Sequence, residues 1–464
     1  MLDLSTEFEK FYKEKVVLGR KDQNKLRKRK NTNIKRLKSG LKEYNKENKT
    51  LYTIVDNIVQ GSMAMHTVVQ NDNKDYDIDV AIIFDKDNLG NDIGAIKAKN
   101  IVCDALKRKC NQLQNDPEVL KNCVRVSYIE GYHIDFAVYR RYKKYSWDDK
   151  YIYEHAGPQY WDARNPKAIN EWFSEEKKNK GEILRKVIRL SKMFCKSRDN
   201  WGEMPAGLIQ TVVCDEKIDT SYERLDEAFY YTMKAVYERL QRSTEVYNPT
   251  DYSKSLNTIQ THYEKMDRWK KYLGTELNKL DEVIMDNAST ESDVKSAWYG
   301  FFNHEFWNEQ QTISESNSFS KSLYSYNNTE QFIEEHVVDC NEQYYVDVSC
   351  MVKADCIHDW MSMEVFLERY PMFRKVIPRG LSIEFEVIAT NVPEPYQIWW
   401  KVRNVGEEAE RRNCVRGQIE KNVGKKKCEH SDFQGSHYVE CYIIRNNVCV
   451  ASQCVDVPIG KDPI

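Results

Sequence analysis

The sequence predicts an α+β protein in which a mixed strand-and-helix head precedes a helical body and a strand-rich C-terminal domain. Three observations predict it. Short apolar strands alternate with helical stretches up to about residue 150, apolar residues then recur at spacings of three and four to about residue 310, and short apolar or alternating runs return beyond residue 380. At 464 residues the chain also exceeds what one hydrophobic core supports, since single cores rarely grow past about 250–300 residues.

The N-terminal stretch reads as helical. Residues 20–49 hold thirteen Lys/Arg against three acidic residues, a local +10, so with a net charge of -2 the remainder sums to -12. Leu26, Leu37, Leu41 and Tyr44 give this stretch a partial apolar stripe. Such a run suits either a solvated helix face or a surface for RNA or nucleotide phosphates. Strands are predicted at VAIIF (80–84), CVRVSYI (123–129) and YHIDFAVYR (132–140), with a helix between the first two. KGEILRKVIRLSKMFCKS (180–197) and DRWKKYLGTELNKLDEVI (267–284) carry helical periodicity. TISESNSFSKSLYSYNNTEQ (312–331) has the composition of a linker. LSIEFEVIA, YQIWWKVRN, HYVECYIIRN and VCVASQCVDV then predict four C-terminal strands.

Composition excludes several classes. Charged residues make up 31% and mean hydropathy is -0.73, yet 41% is hydrophobic, which fits a folded polar protein better than a disordered one. No apolar run approaches the roughly 18 residues of a membrane span, and MLDLSTEFEKFYKEK lacks the apolar centre of a signal peptide. The cytoplasm is therefore the expected compartment, with no membrane partner. Thirteen cysteines at irregular spacing read as reduced thiols rather than a disulfide framework.

The chemistry concentrates in QGSMAMHTVVQNDNKDYDIDVAIIF (60–84). Side chains alternate across a strand, so Asp77 and Asp79 face the same way, as would Asp75 if the strand began there. Carboxylates on one face repel, and a fold accepts that mainly where a cation compensates. Hard, oxygen-seeking Mg²⁺ is the natural candidate, held by carboxylates together with substrate phosphates. Asp135, lodged between Ile134 and Phe136 in an apolar run, needs a partner and supplies a third carboxylate. Gly61-Ser62 suits a tight turn offering backbone N–H groups and a hydroxyl to a triphosphate. Alone, a Gly-Ser is a turn and an Asp-x-Asp a solvated loop. Together, with the Asp pair entering an apolar strand fifteen residues after the Ser, they describe a metal-dependent nucleotide site.

At these residues the chain resembles the nucleotidyltransferases of the polymerase-β superfamily, specifically the bacterial DncV-like (SMODS-type) branch related to cyclic GMP-AMP synthase and oligoadenylate synthetase. QGSMAMHT, DYDIDVAIIF, YHIDFAVY, DARNPKAINEWF and ILRKVIRLSKMFCK followed by MPAGLIQTVV carry the resemblance, over most of residues 1–310. It implies a polymerase-β-like catalytic head (1–165) and a helical lobe like that of poly(A) polymerase and oligoadenylate synthetase (166–315), ahead of the linker that composition places at 316–331. It also implies that Asp77, Asp79 and Asp135 bind two Mg²⁺ (or Mn²⁺) ions, and that Gln60, Gly61, Ser62 and Lys192 hold the triphosphate. One departure is visible: relatives with a Pro-Ser-Gly-Leu segment use its serine on phosphate, whereas this chain reads Pro205-Ala206-Gly207-Leu208.

The activity so implied is in-line attack by a ribose hydroxyl on the α-phosphorus of an NTP, ATP and/or GTP, with loss of pyrophosphate and Asp135 orienting or deprotonating the hydroxyl. Repeated transfer and ring closure would give a cyclic di- or trinucleotide that activates a separate effector in anti-phage signalling. The alternatives are a nucleotidyltransferase that modifies RNA or tRNA and a catalytically idle nucleotide or RNA sensor.

Residues 332–464 resemble the adenylyl/guanylyl and SMODS C-terminal sensor domain through TNVPEPYQIWWKVRNVGEEAERRNCVRGQI and FQGSHYVECYIIRNNVCVA. Trp400, Lys401, Arg403, Arg412 and Arg416 lie in this dense aromatic and basic stretch, and such side chains suit a nucleotide ligand. The plainer expectation makes Trp400 core and pairs the arginines with nearby acids. Cys428, His430, His437 and Cys441 are soft donors, but their spacing matches no standard zinc site.

Overall fold

The first ordered elements of the computed structural model are α1 (Ser5–Phe11) and α2 (Arg20–Asn48), and the second of them backs a sheet. The structure describes residues 1–70, 76–90, 92–110, 113, 115–129, 131–308, 330–333, 336–337, 339–340, 344–353, 360–370, 376–412 and 414–460. It forms two units, Met1–Gln311 and Thr312–Ile464. The 316–331 linker expectation lies outside the described residues except for 330 and 331, and Asp75 lies outside them as well.

After α2 come β1 (Ile54–Gln60), α3 (Gly61–Ala64), β2 (Tyr76–Asp85), α4 (Lys86–Leu89), α5 (Ala95–Lys107), β3 (Glu118–Val119), β4 (Val124–Ser127), β5 (Tyr132–Tyr142), β6 (Ile152–Ala156) and β7 (Trp161–Ala163). The sheet runs β1-β2-β5-β4-β3, with β6 pairing β5 and β7 pairing β6. Only β2 and β5 are parallel, which α5 makes possible by returning the chain to the same end of the sheet. The apolar runs of β2 and β5 are buried, as expected for strands at the sheet centre.

Leu26, Ile34, Leu37 and Leu41 form the buried stripe of α2. The helix packs on α5 so closely that a methyl group on Gly40 would overlap the Ala105 carbonyl. Its opposite face is exposed and basic. Lys28, Lys35, Lys38, Lys42 and Lys46 fall within an arc of about 80° at 3.6 residues per turn.

The helical part comprises α6 (Ala168–Lys180), α7 (Glu182–Cys195), α8 (Gly207–Lys217), α9 (Leu225–Arg242), α10 (Gln260–Ile284) and α11 (Glu291–Phe302), with a small hairpin of β8 (Tyr247–Asn248) and β9 (Asp251–Ser255). One assignment is corrected here. Residues 1–17 were expected in the head, yet Leu4, Phe8, Phe11 and Val16 bury their side chains in the helical core. Phe8 meets Trp298 edge-on at 4.7 Å and Phe11 lies 4.9 Å from Phe302. Aromatic burial of this kind fixes the location, because Phe8 also meets Phe229 and Trp307, and Phe11 meets Trp307, all in the helical core.

The second unit contains β10 (Asp339–Cys340), β11 (Val346–Lys353), β12 (Met361–Ser362), α12 (Met363–Arg369), β13 (Ser382–Thr390), β14 (Gln397–Arg403), α13 (Glu407–Arg411), β15 (Arg416–Glu420), β16 (Lys426–His430), β17 (Gly435–Arg445) and β18 (Val448–Ile459). Two sheets, β10-β18-β17-β14-β15 and β12-β11-β13-β16, share one core in which Ile383 and Phe385 meet Trp400 and Val439. The longest hairpin, β17–β18, turns through Asn446 and Asn447, both at positive φ, as a two-residue turn of this hand requires.

Candidate active site

Asp77 and Asp79 lie on β2, and Asp79 is the direct register partner of Asp135 on β5. Strand alternation puts Asp77 on the same face. Asp77 is exposed, Asp79 half-buried and Asp135 buried. Burial first, then the charges of Asp135 and Asp77, push the Asp79 carboxyl up to about 6, while Arg125 and Arg164 pull the other way. The fold thus holds an excess of negative charge on one face.

Gln60 ends β1 opposite Asp79, and Gly61-Ser62 turn directly into α3. Gly61 has φ +63°, and a side-chain carbon there would overlap the Asp79 carboxylate. Only glycine lets the turn sit against the acids. The Gln60 side-chain amide donates to the Pro166 carbonyl at 2.7 Å, and Asn170 donates to the Val59 carbonyl at 2.9 Å. The DARNPKAINEWF segment therefore braces the strand that ends in the Gly-Ser turn.

Lys192 projects from α7 into the same neighbourhood. Its Nζ donates to Thr67 Oγ1 at 2.7 Å and to the Thr67 carbonyl at 3.3 Å, and the Thr67 N–H donates to the Ser62 carbonyl at 2.8 Å. Burial, then the nearby Arg189 charge, hold the ammonium down to about 7. Pro205-Ala206 lead into α8, whose first residue Gly207 lies beside the Lys192 side chain. Ala206 brings no hydroxyl.

One residue of the site was not foreseen. Arg125, on β4 and opposite Asp135 in register, grips both oxygens of that carboxylate through Nε at 2.8 Å and Nη2 at 2.7 Å, and reaches Asp77 at 3.7 Å. In the sequence it sits in an alternating strand, where an arginine reads as solvent-facing. Cys123 lies beside the same carboxylate, and burial followed by the Asp135 charge pushes its thiol up to about 12. Among the described residues no three His, Cys, Asp or Glu side chains are gathered closely enough to hold a metal ion by themselves. The donor chemistry nevertheless fits a hard divalent cation: three carboxylates on adjacent strands, with Asp79 raised by burial and then by its neighbours' charge.

The C-terminal candidates are corrected by the structure. Trp400 is fully buried, its indole N–H donating to the Gly424 carbonyl at 2.9 Å. Lys401 is also fully buried and pairs with Glu330 and Glu440, each at 2.8 Å. Arg403 reaches Glu330 at 3.5 Å and donates to the Arg416 carbonyl. Arg412 pairs with Glu408, and Arg416 with Glu429 at 2.5 Å. These side chains serve the core and local ion pairs, so they do not form one ligand surface. The four zinc candidates are not assembled either: Cys428 and His430 are exposed on β16, whereas Cys441 is buried on β17 and His437 accepts from the Val405 N–H.

Comparison with known proteins follows the same lines. Residues 55–139 match the family described as Cyclic GMP-AMP synthase DncV-like, nucleotidyltransferase domain, and residues 327–460 match the Adenylyl/Guanylyl and SMODS C-terminal sensor domain. A cyclic GMP-AMP synthase of Escherichia albertii is 22% identical over 415 residues, 86% of this chain and 83% of that one. The structure of Vibrio cholerae DncV cyclic AMP-GMP synthase in complex with the linear intermediate 5' pppA(3',5')pG aligns with a TM-score of 0.53 at 16% identity, over 66% of this chain and 97% of that one. The 3'-deoxy GTP bound form of Escherichia coli DncV aligns with a TM-score of 0.51 at 16% identity, over 66% and 98%. The polymerase-β-like fold expected from the sequence is borne out.

Proposed function

We propose that this chain, a nucleotidyltransferase of the DncV-like group with an AGS-type C-terminal domain, is a cyclic oligonucleotide synthase. One observation carries the reading: Asp79 and Asp135 stand side by side against the Gly61-Ser62 turn, with Lys192 behind it. The substrates are NTPs, ATP and/or GTP, in keeping with the nucleotide and intermediate bound to the DncV structures. The product is a cyclic di- or trinucleotide that acts on a separate effector in anti-phage defence.

Gln60, Gly61, Ser62 and Lys192 hold the donor triphosphate. Two Mg²⁺ (or Mn²⁺) ions on Asp77, Asp79 and Asp135 would make the attacking hydroxyl more acidic and neutralise the pyrophosphate as it leaves. Asp135, between the other carboxylates and β4, orients that hydroxyl and takes its proton. No helix among the described residues is long and apolar enough to cross a membrane, in keeping with a cytoplasmic enzyme. The C-terminal domain is a regulatory module for a ligand of its own.

A second reading, transfer of nucleotides onto RNA, is favoured by the lysine face of α2, whose five lysines are exposed and pair with no carboxylate among the described residues. Product size separates the two. The purified protein is incubated with four NTPs and Mg²⁺ or Mn²⁺, treated with phosphatase, and its products identified by mass spectrometry beside an Asp77→Ala/Asp79→Ala control. A phosphatase-resistant cyclic oligonucleotide absent from the control is expected. Nucleotides recovered only on added RNA would overturn the synthase reading.

A further inference from the structure

Arg125 and Asp135 face each other across the antiparallel pair β4–β5. A guanidinium that spans both oxygens of a carboxylate is among the strongest and most directional contacts available to either group. Here it does more than pair two strands. The same guanidinium reaches toward Asp77 on β2, so one cation bridges carboxylates from two different strands at the place where a divalent ion would have to bridge them. Asp135 is buried and Arg125 only partly exposed, so solvent screens this pair less than a surface ion pair.

A metal competes with that grip for Asp135. Both carboxylate oxygens face the guanidinium at hydrogen-bond distance, and a divalent ion brought to them would meet a positive charge within a few ångströms. For an ion to settle there, Arg125 has to leave and needs another anion to receive it. The triphosphate of an incoming nucleotide supplies that anion in the geometry arginine prefers.

We propose that Arg125 is a built-in counter-ion of the carboxylate triad, closing it to free divalent metal until a nucleoside triphosphate takes the guanidinium over. Metal and nucleotide then bind with positive coupling, each raising the affinity of the other by the same factor. Arg125 is a positioning residue in this scheme, acting on the metal through Asp135. The scheme rests on the metal-dependent reading given above.

The test reads metal binding rather than turnover. Mn²⁺ binding to the full chain is followed by electron paramagnetic resonance without nucleotide, for the parent, Arg125→Gln, Arg125→Lys and Asp135→Asn. It is repeated with a non-reactive ATP analogue, corrected for ion held by the free analogue. Removing the counter-ion should tighten Mn²⁺ binding about tenfold or more in nucleotide-free Arg125→Gln and abolish most of the coupling to the analogue. Arg125→Lys, which keeps the charge but not the two-point grip, should fall between the two and stands in if the Gln variant does not fold.

A structural strand pair predicts otherwise: Arg125→Gln would lower the melting temperature and leave Mn²⁺ affinity unchanged or weaker. That result, with analogue-dependent Mn²⁺ binding intact in the parent, would overturn the counter-ion role alone. Absence of Mn²⁺ binding in parent and variants, even with the analogue, would overturn the metal-dependent reading and this inference with it.

Discussion

Asp79 and Asp135 are direct partners across the parallel strands β2 and β5, two acids side by side just ahead of the apolar runs 80–84 and 136–138. The arrangement costs stability, and the cost has a pH signature. Asp79 is raised from an ordinary 3.8 to about 6. Between those values the folded chain keeps a proton that the unfolded chain has lost, so metal-free stability should fall as pH rises from about 4 to about 6, by up to about 3 kcal/mol. Asp79→Asn should remove that slope and stabilise the metal-free protein at pH 7, while lowering product formation at least about a hundredfold. Urea denaturation of both proteins in EDTA across this window is the check.

Gly61→Ala is expected to be more harmful than its size suggests. The residue sits at φ +63° with the Asp79 carboxylate where a methyl group would go. Strain and displacement of Asp79 should cost about 1–3 kcal/mol and most of the activity. Ser62→Ala should change stability by no more than about 0.5 kcal/mol and act mainly on the KM for NTP. Thermal melts beside steady-state kinetics distinguish them.

Lys192 predicts proton uptake. Its ammonium, held down to about 7, is mostly neutral at pH 8 in the free protein, and a triphosphate beside it favours the charged form. NTP binding at pH 8 should therefore take up about one proton, seen calorimetrically as a dependence of binding heat on the buffer's ionisation enthalpy. Lys192→Met should abolish the uptake. The sign for stability runs opposite to that of Asp79: the unfolded chain holds the extra proton between about 7 and 10.5, so this lysine's burial penalty fades as pH rises through that range.

Lys401 predicts a defect confined to folding. It is fully buried between Glu330 and Glu440, and Lys401→Met would take from both carboxylates their shared buried cation at a cost of about 3–5 kcal/mol. Adding Glu440→Gln should recover part of the loss. Denaturation followed by the fluorescence of Trp399 and Trp400, on the same strand, would report both.

Much of this protein was legible before its structure. Asp77, Asp79 and Asp135 stood out because carboxylates interrupt apolar strands, and β13, β14, β17 and β18 fall where the alternating runs predicted them. Periodicity reports which face of an element is buried, and unusual residues on such a face are visible without knowing what they touch.

Partners are another matter. Arg125 drew no notice within the strand read at 123–129, because only the β4–β5 register sets it opposite Asp135. Trp400 and Lys401 looked like a ligand surface until two sheets closed over the first and two glutamates, one of them seventy-one positions away in the chain, closed on the second. The N-terminal helix seemed part of the head until Phe8 and Phe11 found Trp298 and Phe302. Local spacing settled the strands, the helices and the acids of the site. Strand register and long-range packing decided which charge neutralises which, because an ion pair depends on distances that only the folded chain sets.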